Sequence, residues 1–516
     1  MGERKAEVAW ANIALDIGVT YFRLCFVNKY NLLIVTPDQL RADYLGCYGH
    51  PSIETSHIDQ LASEGVRFEN CYCQSPLCAP SRVSFTTSTY VGEHGCRNYW
   101  STIDPQVPNL VTSLKSDGYT TGMFGKNHLY TYDKLEDVWD SCHEICLGNY
   151  DEHPKYAKAF SSFEMEDDHE YNITGLLTDE AMEFMEQADG PSLTWINYQD
   201  PHPAFTCPAP YKDLFDSNEV ELPATFRNFD KDKQPIRNDV WRKHSQMDEC
   251  SDDDMRKAIA TYMGQVRYVD DCFGKLMQFL DEKGMADNTV VLFFSDHGEL
   301  LGDHGMTHKL PTFYDSLTKI PVIIRHPDKK WTGISFKGLT EEIDLVPTLL
   351  EILGVKAPPT MVGQSWYSAL ENADDTGKDS IISEAGGGAP TVKEPLPDYK
   401  LRAPQLPTSL GPGSMIRKGD WKLSIYQDDR CELFNIIDDP GEATNLYGIN
   451  EYAAIQSELT LELMKRILGV KVRDVGLHWP YEEHPVDVRF EPLLKSHQDS
   501  AEITGLKKSI SKASTD

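Results

Sequence analysis

Cys78-Ala79-Pro80-Ser81-Arg82 places a thiol, a proline and a guanidinium within little more than one helical turn. Proline suits the first turn of a helix, where its missing N–H would be unpaired anyway. The spacing therefore predicts a helix start at Cys78, where free N–H groups and a partial positive charge favour an anion or a thiolate. Arg82 adds a fixed cation. Taken alone, such a cysteine is most often a buried, inert thiol. Four other clusters weigh against that reading: Asp38-Gln39, Lys126-Asn127-His128, Asp200-Pro201-His202, and Ser295-Asp296-His297-Gly298-Glu299.

Each of these clusters follows a short apolar run. Asn31–Thr36, Tyr119–Phe124, Leu193–Tyr198 and Thr289–Phe294 have strand length, and the unbroken apolar character of the first and last suits strands buried on both faces. Helical patterns lie between them, at Val107–Ser116 and in the long amphipathic stripe Met255–Lys283. Alternating strands and helices predict an α/β domain with a large, mostly parallel mixed sheet sandwiched by helices. Ligands of such sheets bind beyond the carboxyl ends of the strands, where all four clusters fall.

Ile320–Arg325 predicts one more strand, and Glu342–Gly354 a helix closed by glycine. Composition then shifts. Gly386-Gly387-Gly388 and the proline-rich 394–413 stretch read as a long loop. Met415–Arg417, Trp421–Tyr426 and Glu432–Phe434 read as short antiparallel strands, and Tyr452–Leu468 as a helix. The expected domains are 29–375 and a smaller α+β unit over 376–484, with extensions at 1–28 and 485–516.

Among 516 residues, 81 are Asp or Glu and 49 are Lys or Arg, a formal net charge of −32. That excludes nucleic acid and an anionic membrane surface as natural partners. Any anionic substrate must enter a locally basic pocket. The 12 cysteines show no framework spacing, and Cys71-Tyr72-Cys73 and Cys142–Cys146 lack the second half of a zinc site. Ile13–Val27 is interrupted by Asp16 and Arg23, too short and charged to span a membrane or to read as a signal peptide. The expected location is cytoplasmic.

Together these pieces resemble the type I, formylglycine-dependent sulfatases of the alkaline-phosphatase-like superfamily, from about Tyr30 to Leu468. The motif CxPSR carries the resemblance, supported by SDHGE at 295–299, Gly419-Asp420-Trp421-Lys422-Leu423 and the Asp438–Leu446 segment. The resemblance implies that Cys78 is oxidised by formylglycine-generating machinery to an aldehyde, whose hydrate attacks sulfur. A sulfate ester on formylglycine would then collapse and release inorganic sulfate. It also implies one divalent cation, calcium, on Asp38, Gln39, Cys78, Asp296 and His297, Gln39 standing where most members carry a second aspartate. Lys126 and His128 would stabilise the nucleophile, Arg82 would hold it, and His202 and Lys309 would bind sulfate, a histidine protonating the leaving alcohol.

The expected function is hydrolysis of a small-molecule or saccharide sulfate ester. Asp38-Gln39 also occurs in choline-sulfatase-like and phosphonate-hydrolase-like branches, so a phosphonate monoester or phosphodiester hydrolase is the alternative. An inactive carbohydrate-binding homologue is the distant third, since it predicts a broken site position. Thr86-Thr87-Ser88 follows the motif where relatives carry better helix formers, which predicts a weaker helix there.

Overall fold

A computed structural model of the chain describes residues 29–98, 102–145, 158–164, 173–386, 411–427 and 429–469. The expected extensions, Cys25, Cys146, residues 394–410 of the proline-rich stretch and the 470–484 end of the second domain lie outside the described residues.

In chain order the first strands are β1 (Asn31–Pro37), β2 (Val66–Tyr72), β3 (Thr120–Gly125), β4 (Ser141–His143) and β5 (Ser162–Glu164). They are followed by β6 (Ser192–Tyr198), β7 (Phe205–Cys207), β8 (Thr289–Phe294), β9 (Lys319–Ile320), β10 (Val322–Arg325) and β11 (Ile334–Glu341). The last four are β12 (Ser380–Ala385), β13 (Gly413–Lys418), β14 (Trp421–Tyr426) and β15 (Glu432–Asn435). The main sheet runs β11-β2-β10-β8-β1-β6-β3-β4, with β9 paired to β2.

The four expected strands are its centre. β1 pairs in parallel with β6 and β8, and β3 in parallel with β6. Register puts Pro37 beside Tyr198, Gly125 beside Asn197 and Val35 beside Phe293, so these strands end on one edge. Their successors Asp38, Lys126, Gln199 and Ser295 therefore leave the sheet side by side. The continuous apolar runs serve two cores at once: Leu32 and Ile34 face one layer, Leu33 and Val35 the other. The helices Cys78–Thr87, Leu110–Ser116 and Leu345–Ile352 cover the first face, and Ser56–Glu64, Ile173–Gln187 and Asp252–Glu282 the second. The last of these is started by Ser251, whose hydroxyl accepts the Asp254 N–H at 3.1 Å, with three aspartates in its first turn.

The Ile320–Arg325 run is two strands rather than one. Pro321 has no N–H to give a ladder, and the chain changes partner there. Ile320 pairs with Cys71 of β2, while β10 lies antiparallel between β8 and β2. β2, β11, β12 and the Ile173–Gln187 helix are elements the sequence reading did not single out.

The C-terminal strands form a four-stranded antiparallel sheet, β12-β13-β14-β15. The helix Ala453–Gly469 seals it through Leu459 and Leu463, packed on Ile382, Ile416, Leu423 and Leu433. Among the described residues no helix is long and apolar enough to cross a membrane, and every described cysteine is a free thiol.

Candidate active site

Cys78 opens its helix, as its proline spacing predicts, and every residue of Cys78–Thr87 is buried. The weak helix formers at its end are held by their own hydroxyls: Thr86 and Thr87 donate to the carbonyls of Arg82 and Val83, each at 2.7 Å. Ser88 closes the helix in the left-handed region at φ 53°. Ser84 Oγ and His94 Nε2 are 2.8 Å apart, which ties the following segment to this helix.

Around the thiol, Asp38, Asp296 and His297 converge, and with Cys78 their four donor atoms lie within 4.8 Å of one another. All four residues are buried. His297 Nδ1 sits 2.8 Å from the Gly298 carbonyl, which can only accept, so Nδ1 carries a proton and Nε2 is the nitrogen turned inward, 3.2 Å from Cys78 Sγ. Gly298 is required at this turn, since a Cβ there would lie 1.9 Å from the Ser316 carbonyl oxygen. Two carboxylates, one imidazole lone pair and the Cys78 position form a donor set that fits one divalent cation.

Three cations border this set. Lys126 follows Gly125, whose φ of 104° and approach to the Asn197 carbonyl exclude any side chain. Its ammonium donates to Asp38 and lies 3.5 Å from Cys78 Sγ. Arg82 donates to Asp296 Oδ2 at 2.9 Å, Asn197 Oδ1 at 2.6 Å and the Lys126 carbonyl at 3.2 Å. Arg82 thus braces the metal-set carboxylate and the Lys126 turn, where the expectation had it on the nucleophile. Burial pushes the Asp38 carboxyl up, but Lys126, Lys309 and Arg82 together hold it well below the usual range. Burial and Asp38 likewise push the Cys78 thiol up, and Lys126, Lys309 and His297 bring it below its ordinary value.

Gln39, expected in the metal set, lies directly beside the other four residues of it. Its backbone, at φ 67°, is fixed by the Tyr262 hydroxyl, which donates to its carbonyl at 2.8 Å. Its side-chain amide donates to Glu299, and its side-chain oxygen accepts from Lys309. Both ends of the amide are therefore engaged beside the metal set.

His128 and His202 are half-buried at the same edge. Burial, then Lys126 and Arg82 for His128, and burial, then Lys309 and Lys126 for His202, hold both imidazoles well below their ordinary value. Both are neutral at pH 7 in the free protein. His202 gives its Nδ1 proton to the Pro203 carbonyl, so Nε2 is its remaining nitrogen.

Ser81 shows a further feature. Its hydroxyl lies 2.6 Å from the Asp296 carbonyl and 2.8 Å from Glu342 Oε1. A hydroxyl has one proton and the carbonyl can only accept it, so the second contact needs a proton on Glu342. Burial pushes that carboxyl well above its ordinary value, which agrees.

A family model described as Sulfatase matches residues 30–355. The chain belongs to the sulfatase family. It is accordingly a hydrolase of sulfuric esters, on an alkaline-phosphatase-like fold. This sulfatase is 26% identical over 494 residues to the N-acetylglucosamine-6-O-sulfatase of Bacteroides thetaiotaomicron, covering 84% of this chain and 85% of that relative. It is 26% identical over 494 residues to the arylsulfatase of Clostridium perfringens, covering 86% and 95%. Among solved structures, the phosphonate monoester hydrolase of Agrobacterium radiobacter shares the fold with a TM-score of 0.73 at 22% identity, covering 85% of this chain and 95% of that one.

The sulfatase site also uses residues the sequence reading gave no role. Glu299 sits inside the quoted SDHGE run, and Asn197 is the penultimate residue of an expected strand, so both were visible as positions. Glu342 carried no signal, because its partner Ser81 is 261 residues away.

Proposed function

We propose that this chain releases inorganic sulfate from a sulfated saccharide, using Cys78 converted to formylglycine and one calcium ion held by Asp38, Asp296, His297 and the Cys78 side chain. The convergence of four buried donor atoms beside Lys126 carries the reading. Sγ of Cys78 stands where the oxygens of a hydrated aldehyde would be. When present, the formylglycine supplies an oxygen nucleophile with a second hydroxyl, and the cation supplies a Lewis acid.

The chain's own residues do the rest. Lys126 places a positive charge 3.5 Å from the nucleophile's position and favours its deprotonated form. Arg82 keeps the Asp296 carboxylate aimed by its 2.9 Å hydrogen bond. Lys309 borders the place where sulfuryl oxygens must sit, with neutral His128 beside it, and a cation preorganised there favours charge that develops in the transition state. His202 is neutral in the free protein because burial first, and then Lys309 and Lys126, disfavour its charged form. An anionic ester bound between them offsets the lysines' repulsion and so favours a proton on His202 for the leaving alcohol.

A sulfated sugar is the class that the N-acetylglucosamine-6-O-sulfatase relative supports. The Asp38-Gln39 pair and the shared fold of the phosphonate monoester hydrolase support a second reading, hydrolysis of a phosphonate ester. One experiment separates them. The protein is produced with a formylglycine-generating enzyme, and conversion of Cys78 is verified by mass spectrometry. It is then assayed on N-acetylglucosamine 6-sulfate and on aryl sulfate and aryl phosphonate esters of one phenol. Sulfate release from the sugar ester is expected; faster turnover of the phosphonate, or no sulfate release from converted protein, refutes the proposal.

A further inference from the structure

Gln199 is 3% exposed, and neither atom of its side-chain amide has a hydrogen-bond partner among the described residues. A buried amide left unpaired has lost its water without compensation, and native proteins rarely keep one that nothing satisfies. The neighbouring amides are engaged. Gln39 lies between Glu299 and Lys309, Asn127 donates to the Tyr130 carbonyl at 2.6 Å, and Asn197 accepts from Arg82 at 2.6 Å. Strand order puts β6 between β1 and β3, and the ladder continues at Tyr198, whose carbonyl accepts the Asp38 N–H at 3.0 Å. Gln199 therefore leaves the sheet between Asp38 and Lys126, at the ion pair that joins them. Side chains alternate along this segment. Asn197 meets Arg82 on the Cys78 face, while Tyr198 and Asp200 meet Thr178 and Thr174 on the opposite one. Gln199 falls on the Cys78 face. Its enclosure is that of the site itself, since Asp38, Cys78 and Lys126 are buried as deeply.

We infer that Gln199 is a specificity residue that hydrogen-bonds the alcohol half of the ester, through a hydroxyl or N–H group near the bond that is cleaved. The inference rests on reading the chain as a saccharide sulfatase. An amide presents two donor hydrogens and an acceptor oxygen, so the partner that satisfies it must both accept and donate. A sulfuryl head only accepts, and Lys126 and Lys309 already supply its donors. The leaving alcohol of a sugar ester carries hydroxyls that do both. The backbone carbonyl of Gln199 accepts the His202 N–H at 2.9 Å, so this amide and the imidazole proposed to protonate the leaving oxygen belong to one turn. An alcohol that reaches one reaches the other. An alcohol without such groups leaves the amide unpaired, and a site built to hydrogen-bond its substrate discriminates against analogues that lack the partner.

Two esters of similar shape test this. N-acetylglucosamine 6-sulfate and cyclohexylmethyl sulfate both carry a primary sulfate on a saturated ring, but the second has no hydroxyl or N–H group. Gln199→Met keeps the side-chain length and loses the amide. In the formylglycine-containing variant, kcat/KM for the sugar ester should fall about tenfold, the effect of losing one or two neutral hydrogen bonds. For cyclohexylmethyl sulfate it should stay within about threefold, because that ester never paired with the amide. Calorimetric titration of the unconverted full chain in calcium-containing buffer gives a readout without turnover. Affinity for N-acetylglucosamine 6-sulfate should fall about tenfold in Gln199→Met, and affinity for inorganic sulfate should not change. Equal losses on both esters, as a purely structural role predicts, or no loss on either, overturns the inference. Should Gln199→Met not fold, Gln199→Leu also removes the amide and carries the same comparison. If converted protein releases no sulfate from the sugar while the calorimetric pattern holds, the proposed function falls and the Gln199 contact stands. If sulfate is released and the pattern is absent, the function stands and the inference falls.

Discussion

Replacing Glu432 by glutamine should alter how stability depends on pH. Glu432 lies on β15, 1% exposed, where it accepts from the Tyr314 hydroxyl at 2.7 Å and the Tyr426 hydroxyl at 3.0 Å. Tyr314 belongs to the segment that carries Lys309, so this carboxyl joins the small sheet to the site's rim. Burial pushes it up to about 7 from an ordinary 4.5, against the two tyrosine hydrogen bonds and the charges of Lys422 and Arg237. The folded state therefore holds this proton more tightly than the unfolded chain. Its contribution is most favourable below the unfolded value and is lost as pH rises through 4.5 to about 7, then stays level. At about 1.4 kcal/mol per tenfold, the loss is roughly 3 kcal/mol, a large part of a typical stability of about 5–15 kcal/mol. Glutamine cannot ionise, but its NH2 leaves one tyrosine hydroxyl without an acceptor, at a cost of about 1 kcal/mol. Glu432→Gln should thus match the original protein near pH 5 and exceed it by roughly 2 kcal/mol at pH 8. Urea unfolding of both proteins at the two pH values, at constant salt, measures this, and all other titrating groups cancel between them. A difference between the two pH values below about 1 kcal/mol would refute the buried, proton-holding role.

The remaining expectations concern the site. Glu342→Gln keeps a neutral donor for Ser81 and should leave turnover within about threefold, whereas Glu342→Ala should lower unfolding free energy by about 1 kcal/mol in urea titrations, because Ser81 loses one of its two hydrogen bonds. Lys309→Ala should reduce kcat/KM by about 10²–10³ with the circular dichroism spectrum unchanged; full activity would exclude Lys309 from anion binding. Chelation should lower both the thermal midpoint and sulfate affinity, and calcium should restore both, as for any ion bound by the folded state alone; a midpoint indifferent to chelation would count against the cation.

What could be read from the sequence follows burial on both faces. β1 and β8 are apolar throughout because alternate residues enter two different cores, and such runs need no knowledge of their neighbours. The residues just beyond them were legible as a site because the parallel register aligns their ends. β2 and β11 were not, since polar residues break their runs and a register shift between Phe336 and Leu339 breaks the alternation of β11. The split at Pro321 was visible as a residue but not as a change of partner, which depends on β2 lying next to it. Within the site, residue types pointed to the donors that converge on Cys78. They could not disclose which way the Gln39 amide faces or where the Ser81 proton goes, because both are set by carboxylates supplied from distant segments.

The charges explain why those carboxylates matter. The chain carries a formal −32, so an anionic ester approaches against the overall field, screened beyond about 8 Å at physiological salt. In the site Lys126, Lys309 and Arg82 are balanced by Asp38, Asp296 and Glu299, and the side chains alone offer an anion no net attraction. Any further carboxylate facing Lys309 would turn that balance negative. Neutral glutamine at 39 and a protonated Glu342 behind Ser81 avoid it, and the proposed divalent cation on the donor set would supply the excess positive charge. On the proposed function, cation and anion affinity are coupled by this arithmetic, and sulfate should bind more tightly to the calcium-loaded protein than to the chelated one.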